Sequence, residues 1–254
     1  MQLTLNSSAY TIETSGAGER QALLLHYFGG SGSTWSAVMR RVPELRCFAP
    51  SLAGFGETQL AVDALSIDQH AADMAALIEA LGLSDFTLVG HSMGGKIALA
   101  LAALQPRGLR NLLLVAPSPP SPEPMPDADR ARLLAAYGDA TALAAQIQRI
   151  TGAGLAEELR AQALGEQLRA SATAWRWWLE AGSREDISAR LGAITVPVAI
   201  LVGEHDPIIS PTLITAQLMP YLSGTTATLA VLPAVGHLLP YEAPQAVADA
   251  LAQA

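Results

Sequence analysis

Six short apolar runs, bounded by Gly, Pro or Asp, alternate along this chain with longer stretches of helical spacing, and this alternation constrains the fold more than any other feature. The runs are 22–26, 46–49, 86–90, 109–116, 197–203 and 228–232, and they lack the apolar-polar alternation of a half-solvated strand. Continuous apolar runs of this length are expected of parallel strands buried on both faces, and parallel strands need crossover helices between them. Residues 66–81 supply one: Ile67, Met74, Leu77, Ile78 and Leu81 fall at helical spacing, with Ser66 as N-cap, Gln69 in the capping-box position and Gly82 as stop. Residues 93–105 and 243–252 have the same character, each meeting a proline at one end. Residues 3–5 and 10–14 suggest an N-terminal hairpin, so the pattern predicts an α/β fold around a mostly parallel, eight-stranded sheet with helices on both faces.

The alternation breaks after Ala116. Pro117, Pro119, Pro120, Pro122, Pro124 and Pro126 fall within ten residues, which excludes both helix and central strand. Residues 127–191 are helical in character, rich in Ala, Leu, Arg, Glu and Gln, and strand-like sequence resumes only at Val196. The expected organisation is a core of 1–116 and 192–254, interrupted at 117–191 by a proline-rich connector and a helical insertion.

Half of the 254 residues are apolar and 15% are charged, so the chain can bury a large core and is too hydrophobic for disorder. The longest apolar run, 97–104, is far short of the roughly 20 residues that span a bilayer, and the N-terminus has no basic-then-apolar leader. The expectation is a cytoplasmic protein with no membrane partner. A net charge of −8 without a basic cluster argues against nucleic acid. The single cysteine, Cys47, cannot form an intrachain disulfide, and no Cys/His spacing suggests a metal site; no cofactor is expected.

Between the run 86–90 and the helix beginning at Met93 stands Gly90-His91-Ser92-Met93-Gly94, a G-x-S-x-G sequence in a strand-turn-helix setting. A turn this tight holds Ser92 at strained backbone angles and leaves no room for side chains at 90 and 94. The hydroxyl is thereby presented above the sheet at a helix N-terminus, where developing negative charge is favoured. A serine hydroxyl needs a base to become a nucleophile, and the chain has five histidines. His237, in the loop after the last strand, is placed to reach the C-terminal sheet edge. His91 neighbours the nucleophile and should point away, His70 lies within a helix, and His26 and His205 flank the site loops.

The base in turn needs a carboxylate to fix its tautomer. Asp206 follows the run 197–203 through Glu204-His205, with Glu204 kept as the alternative acid. Glu123, the first acid after the run 109–116, stands behind Pro117-Ser118-Pro119-Pro120 and is the lesser choice. For an oxyanion the backbone N–H groups of Met93 and of Phe28 are the candidate donors, the latter in Tyr27-Phe28-Gly29-Gly30-Ser31-Gly32. The same glycine-rich stretch lacks the spacing of a phosphate-binding loop.

Five strings in order, His26-Tyr27-Phe28-Gly29-Gly30-Ser31, Pro50-Ser51-Leu52-Ala53-Gly54-Phe55-Gly56-Glu57-Thr58, Gly90-His91-Ser92-Met93-Gly94-Gly95, Val202-Gly203-Glu204-His205-Asp206-Pro207 and Gly236-His237, resemble the α/β-hydrolase superfamily over nearly the whole chain. The resemblance is to its small esterase, haloperoxidase and proline-iminopeptidase-like branch. Two positions depart from the common form: Tyr27, where glycine usually follows the histidine, and Ser51, where aspartate usually begins the loop. The resemblance implies that the helices inserted after strand six form a lid. A serine at position 92 excludes the aspartate-ester chemistry of epoxide hydrolases and haloalkane dehalogenases.

The expected activity is hydrolysis of small carboxylic esters through an acyl-enzyme, with Ser92, His237 and Asp206 as triad. Tyr27, Tyr137, Trp175 and Trp178, with Trp177, are the aromatic candidates for an apolar substrate pocket. Lactones, thioesters, carbon–carbon bonds, aminoacyl amides and perhydrolysis remain open on the same triad, as does a slow-turnover ligand receptor. An aminopeptidase would need lid carboxylates for the substrate amine, and Glu157, Glu158, Glu180 and Glu185 are available. Oligomeric state is not legible.

Overall fold

The apolar runs form the strands β1 (Gln2–Leu5), β2 (Ser8–Ser15), β3 (Gln21–Leu25), β4 (Arg46–Pro50), β5 (Phe86–His91), β6 (Leu109–Val115), β7 (Val198–Gly203) and β8 (Ala227–Leu232). The computed structural model describes residues 1–5, 8–60 and 65–254. The strands make one sheet in the order β1-β2-β4-β3-β5-β6-β7-β8. Its first two pairings are antiparallel and the rest parallel. All six residues of the central β5 are buried. In neighbouring β6, Leu112, Leu113 and Leu114 are fully buried, each contributing roughly 1.5–3 kcal/mol of transfer free energy. The exception is β8, whose residues are half-buried or exposed, because it is the sheet edge and has a neighbour on one side only.

Helices α1 (Ser36–Met39), α2 (Ile67–Leu81) and α3 (Met93–Ala103) belong to the first half of the core. Ser66 caps α2 by accepting from the Gln69 N–H, and Gly82 ends it in the left-handed region at φ 64°. The reciprocal half of the capping box is not made: the Gln69 side chain donates to Asp73 instead. Helix α3 is buried from Met93 through Ala102, as a helix apolar on all sides must be.

Residues 117–126 form neither helix nor strand. Beyond them the insertion is four helices rather than one continuous stretch: α4 (Asp127–Ala135), α5 (Ala140–Ile150), α6 (Glu157–Leu168) and α7 (Ala172–Glu180), followed by short 3₁₀ turns up to β7. Asp139 caps α5 and Ser171 caps α7, so the breaks fall where local side-chain acceptors stop one helix and start the next. The chain closes with α8 (Pro211–Gln217), α9 (Leu239–Glu242) and α10 (Pro244–Gln253). The helices α2 and α3 pack together, and α1 packs on α10.

Candidate active site

Strand β5 delivers Ser92 into the turn ahead of α3 with φ 53° and ψ −116°, a conformation that a residue with a Cβ adopts only when its surroundings enforce it. Close packing enforces it here. A Cβ at Gly90 would come within 2.5 Å of the Gly94 carbonyl oxygen, and one at Gly94 within 2.5 Å of the carbonyl oxygens of Leu25 and His26. The Ser92 carbonyl accepts from the N–H groups of Gly95, Lys96 and Ser118, which ties the turn to both α3 and the proline-rich connector.

The Ser92 hydroxyl lies 2.9 Å from His237 Nε2, and His237 Nδ1 lies 2.7 Å from Asp206 Oδ2. The other oxygen of Asp206, Oδ1, accepts from the backbone N–H groups of Ile208 and Ile209, at 2.8 and 2.9 Å. With the carboxylate held from behind, the proton of His237 sits on Nδ1 and Nε2 faces the serine as acceptor. Burial disfavours the imidazolium, but the Asp206 carboxylate in contact with it, supported by Glu123 and Glu242, outweighs that effect and raises the His237 pKa above 6.5.

The alternative acid Glu204 points elsewhere: its side chain is about half exposed and accepts from the Ala234 N–H. The loop carrying His237 is gathered by Glu242, which accepts from the N–H groups of Gly152, Gly236 and Leu238. The His237 N–H donates to the Ile150 carbonyl at the end of α5, so this loop is also joined to the insertion.

Three of the other four histidines are buried. His26 donates from Nδ1 to the Tyr27 carbonyl and accepts at Nε2 from the Leu52 N–H, and burial lowers its pKa to about 4. His70 packs against Trp177 with the rings tilted, and its pKa is likewise lowered by burial to about 4. His91 contacts the His237 carbonyl through Nε2, and His205 is exposed.

Above Ser92 and His237 is a cavity of about 60 Å³. Tyr27, Phe28, Trp175 and Trp178 line it, along with Glu123 and Gln146. Trp175 lies over Phe28 with ring centroids 4.4 Å apart and donates its indole N–H to the Leu133 carbonyl, so the insertion holds this wall. Tyr137 does not line the cavity: it is 42% exposed, and its hydroxyl donates to the Ala170 carbonyl. Trp177 also faces away, against His70 and Gly182. On α7, Trp177 is turned by about 200° from Trp175 and about 100° from Trp178, so it meets a different surface.

Among the described residues, neither the Phe28 nor the Met93 N–H donates to a protein acceptor. The departure at Ser51 has a structural counterpart: its hydroxyl accepts from the Gly32 N–H and joins the two loops. On the insertion, Glu166 accepts from the hydroxyls of Ser33 and Thr34, at 2.5 and 2.7 Å, and so clasps α6 to the glycine-rich loop. Among the described residues no cluster of three or more His, Cys, Asp or Glu could hold a metal, and no helix is long and apolar enough to cross a membrane.

The family model of the α/β-hydrolase family matches residues 22–250. This chain belongs to the α/β-hydrolase family. Among curated α/β-hydrolase relatives, the lipase LipV of Mycobacterium tuberculosis is 32% identical over 102 residues, and the pimeloyl-[acyl-carrier protein] methyl ester esterase of Serratia marcescens is 34% identical over 107. These alignments cover 40% and 42% of this chain and 39% and 40% of the relatives, so the similarity spans about two-fifths of their length. The solved structure of a thermophilic esterase from Thermogutta terrifontis superposes with a TM-score of 0.79 at 26% identity, covering 100% of this chain and 96% of the esterase.

Proposed function

We propose that this α/β-hydrolase cleaves carboxylic esters of small molecules by acyl transfer through Ser92. The observation that carries the reading is the unbroken hydrogen-bonded series from the Ser92 hydroxyl through His237 to Asp206, opening into a cavity lined by apolar and aromatic side chains.

In the first half-reaction Ser92 Oγ attacks the ester carbonyl while His237 Nε2 takes its proton, and Asp206 stabilises the imidazolium. The resulting oxyanion is held by the free N–H groups of Met93, at the start of α3, and Phe28, on the facing loop; each such donor is typically worth 10²–10³ in rate. His237 returns the proton to the departing alcohol, leaving acyl-Ser92. Water then attacks the acyl-enzyme with His237 again as base, and the acid is released. The esterase and lipase relatives support this choice of bond. The helices α4–α7, together with the connector at 117–126, act as a lid that shields the acyl-enzyme and selects substrates through Trp175 and Trp178.

The test is a substrate panel of p-nitrophenyl esters, a lactone and an aminoacyl anilide, run on the wild type and on Ser92→Ala. Ester turnover that Ser92→Ala lowers by about 10⁴-fold or more supports the reading. Anilide or lactone turnover exceeding ester turnover would replace the substrate class, and undiminished activity in Ser92→Ala would remove the nucleophile.

A further inference from the structure

Two polar residues of the cavity lining, Glu123 and Gln146, make no hydrogen bond to the triad. Glu123, on the proline-rich connector, is more than nine-tenths buried and lines the cavity with Ser92 and His237. Its Oε2 accepts from the Ser118 hydroxyl. Its Oε1 accepts from no group among the described residues, and the residue lines both this cavity and a neighbouring one of about 80 Å³. Gln146, also buried, lines the same two cavities. Arg132 donates to Gln146 Oε1 at 2.7 Å, which fixes the amide orientation and leaves the Nε2 donor without a protein acceptor.

A structural role accounts for only part of this. Holding the connector explains the bond from Ser118, and the buried Lys96 and Arg130 nearby favour the charged form of Glu123. Neither explains a carboxylate oxygen without a protein donor on a buried residue of the cavity lining, an arrangement that costs desolvation unless a ligand supplies the hydrogen bond. Burial raises the Glu123 pKa, while Ser118 and the nearby cations work against that rise.

We propose that Glu123 and Gln146 form a subsite for a hydroxyl group of the ester substrate, carried on its acid or its alcohol part. A hydroxyl matches both members of the pair, donating to Glu123 Oε1 and accepting from Gln146 Nε2. An ammonium group cannot accept from Gln146 and would face Lys96 and Arg130, already present near Glu123. A plain aliphatic ester leaves both polar groups unpaired, and a site built to bond a hydroxyl discriminates strongly against the analogue lacking it.

This inference rests on the ester-hydrolase reading, and the experiment separates the two. Hydrolysis of methyl butyrate, methyl 3-hydroxybutyrate, 2-hydroxyethyl butyrate and methyl 3-aminobutyrate is followed by proton release, in the wild type, Glu123→Gln and Glu123→Leu. The expected result is a kcat/KM for at least one hydroxylated ester about tenfold or more above that for methyl butyrate. That preference disappears in Glu123→Leu and falls several-fold in Glu123→Gln, which keeps a neutral acceptor; if the leucine variant does not fold, the glutamine variant carries the test. Equal kcat/KM for plain and hydroxylated esters in the wild type would overturn the subsite and leave the esterase reading standing. A preference that survives both substitutions, or is greatest for the amino ester, would also overturn it, and absence of turnover on every ester would overturn both.

Discussion

Replacing Asp206 by Asn changes little in shape, and the structure dictates where the damage falls. The Ile208 and Ile209 N–H groups both point at Oδ1, so the new amide keeps its oxygen there and turns its NH₂ toward His237 Nδ1. His237 must then accept at Nδ1 and carry its proton on Nε2, facing Ser92 with a donor where the reaction needs an acceptor. The wrong tautomer in this position costs about 10⁴-fold in kcat, or about 5.5 kcal/mol.

The fold should survive, because two bonds to a charged acceptor become two bonds to a neutral one, a loss of roughly 1–2 kcal/mol in all. That loss depends on pH. The folded His237 pKa is raised above 6.5, so its interaction with Asp206 contributes stability in full below pH 6.5 and loses it as pH rises through the folded pKa. The variant should therefore be more destabilised at pH 5.5 than at pH 9. The assay is kcat/KM for p-nitrophenyl acetate beside thermal melts at both pH values. Activity within tenfold of wild type, or greater damage from Glu204→Gln, would refute the assignment of the acid.

Because His237 must be neutral to take the serine proton, wild-type kcat/KM should rise with pH through an apparent pKa above 6.5, and a pH–rate profile with its acid limb below 6 would contradict the geometry. Gly94→Ala drives a Cβ to within 2.5 Å of two backbone carbonyl oxygens, so the melting temperature should fall by the equivalent of roughly 1–3 kcal/mol and turnover should fall with it. Glu166→Ala removes the acceptor of the Ser33 and Thr34 hydroxyls and should cost about 2 kcal/mol or more by denaturant unfolding, with protease cleavage within α6 increased. A second cavity, of about 80 Å³, shares Leu133, Ile150 and Ile208 with the first, so Ile150→Ala should raise kcat/KM for p-nitrophenyl hexanoate several-fold relative to acetate; an unchanged ratio would show that the partition does not limit acyl length.

The strands were legible because β3 to β7 are buried on both faces and read as continuous apolar runs, a signal carried by the local sequence itself. Edge strand β8 has the same composition but faces solvent in part, a difference set by its place in the sheet and not by its residues. Ser92, His237 and Asp206 could be singled out because each follows a recognisable strand by a short loop, which limits how far its side chain can be from the sheet edge. Glu123 was passed over as an acid lying among prolines. Its burial arises only when the connector folds back, with the Glu123 N–H on the Ser183 carbonyl, a contact across 60 residues that leaves no local pattern. Glu166 and Glu242 escaped notice for the same reason: one clasps a loop 132 residues away, and the other collects backbone groups that no side-chain motif marks. Tyr137 was expected at the pocket as an aromatic of the insertion, but it falls in the turn after α4, where helical spacing no longer says which way a side chain points.

The most direct measurement is peptide mass spectrometry after reaction with a fluorophosphonate, which phosphonylates only a serine whose proton is taken by a positioned base. The account predicts one adduct, on the peptide containing Ser92, absent in Ser92→Ala and formed orders of magnitude more slowly in His237→Ala. An adduct on another residue, or labelling at the wild-type rate without His237, would contradict it.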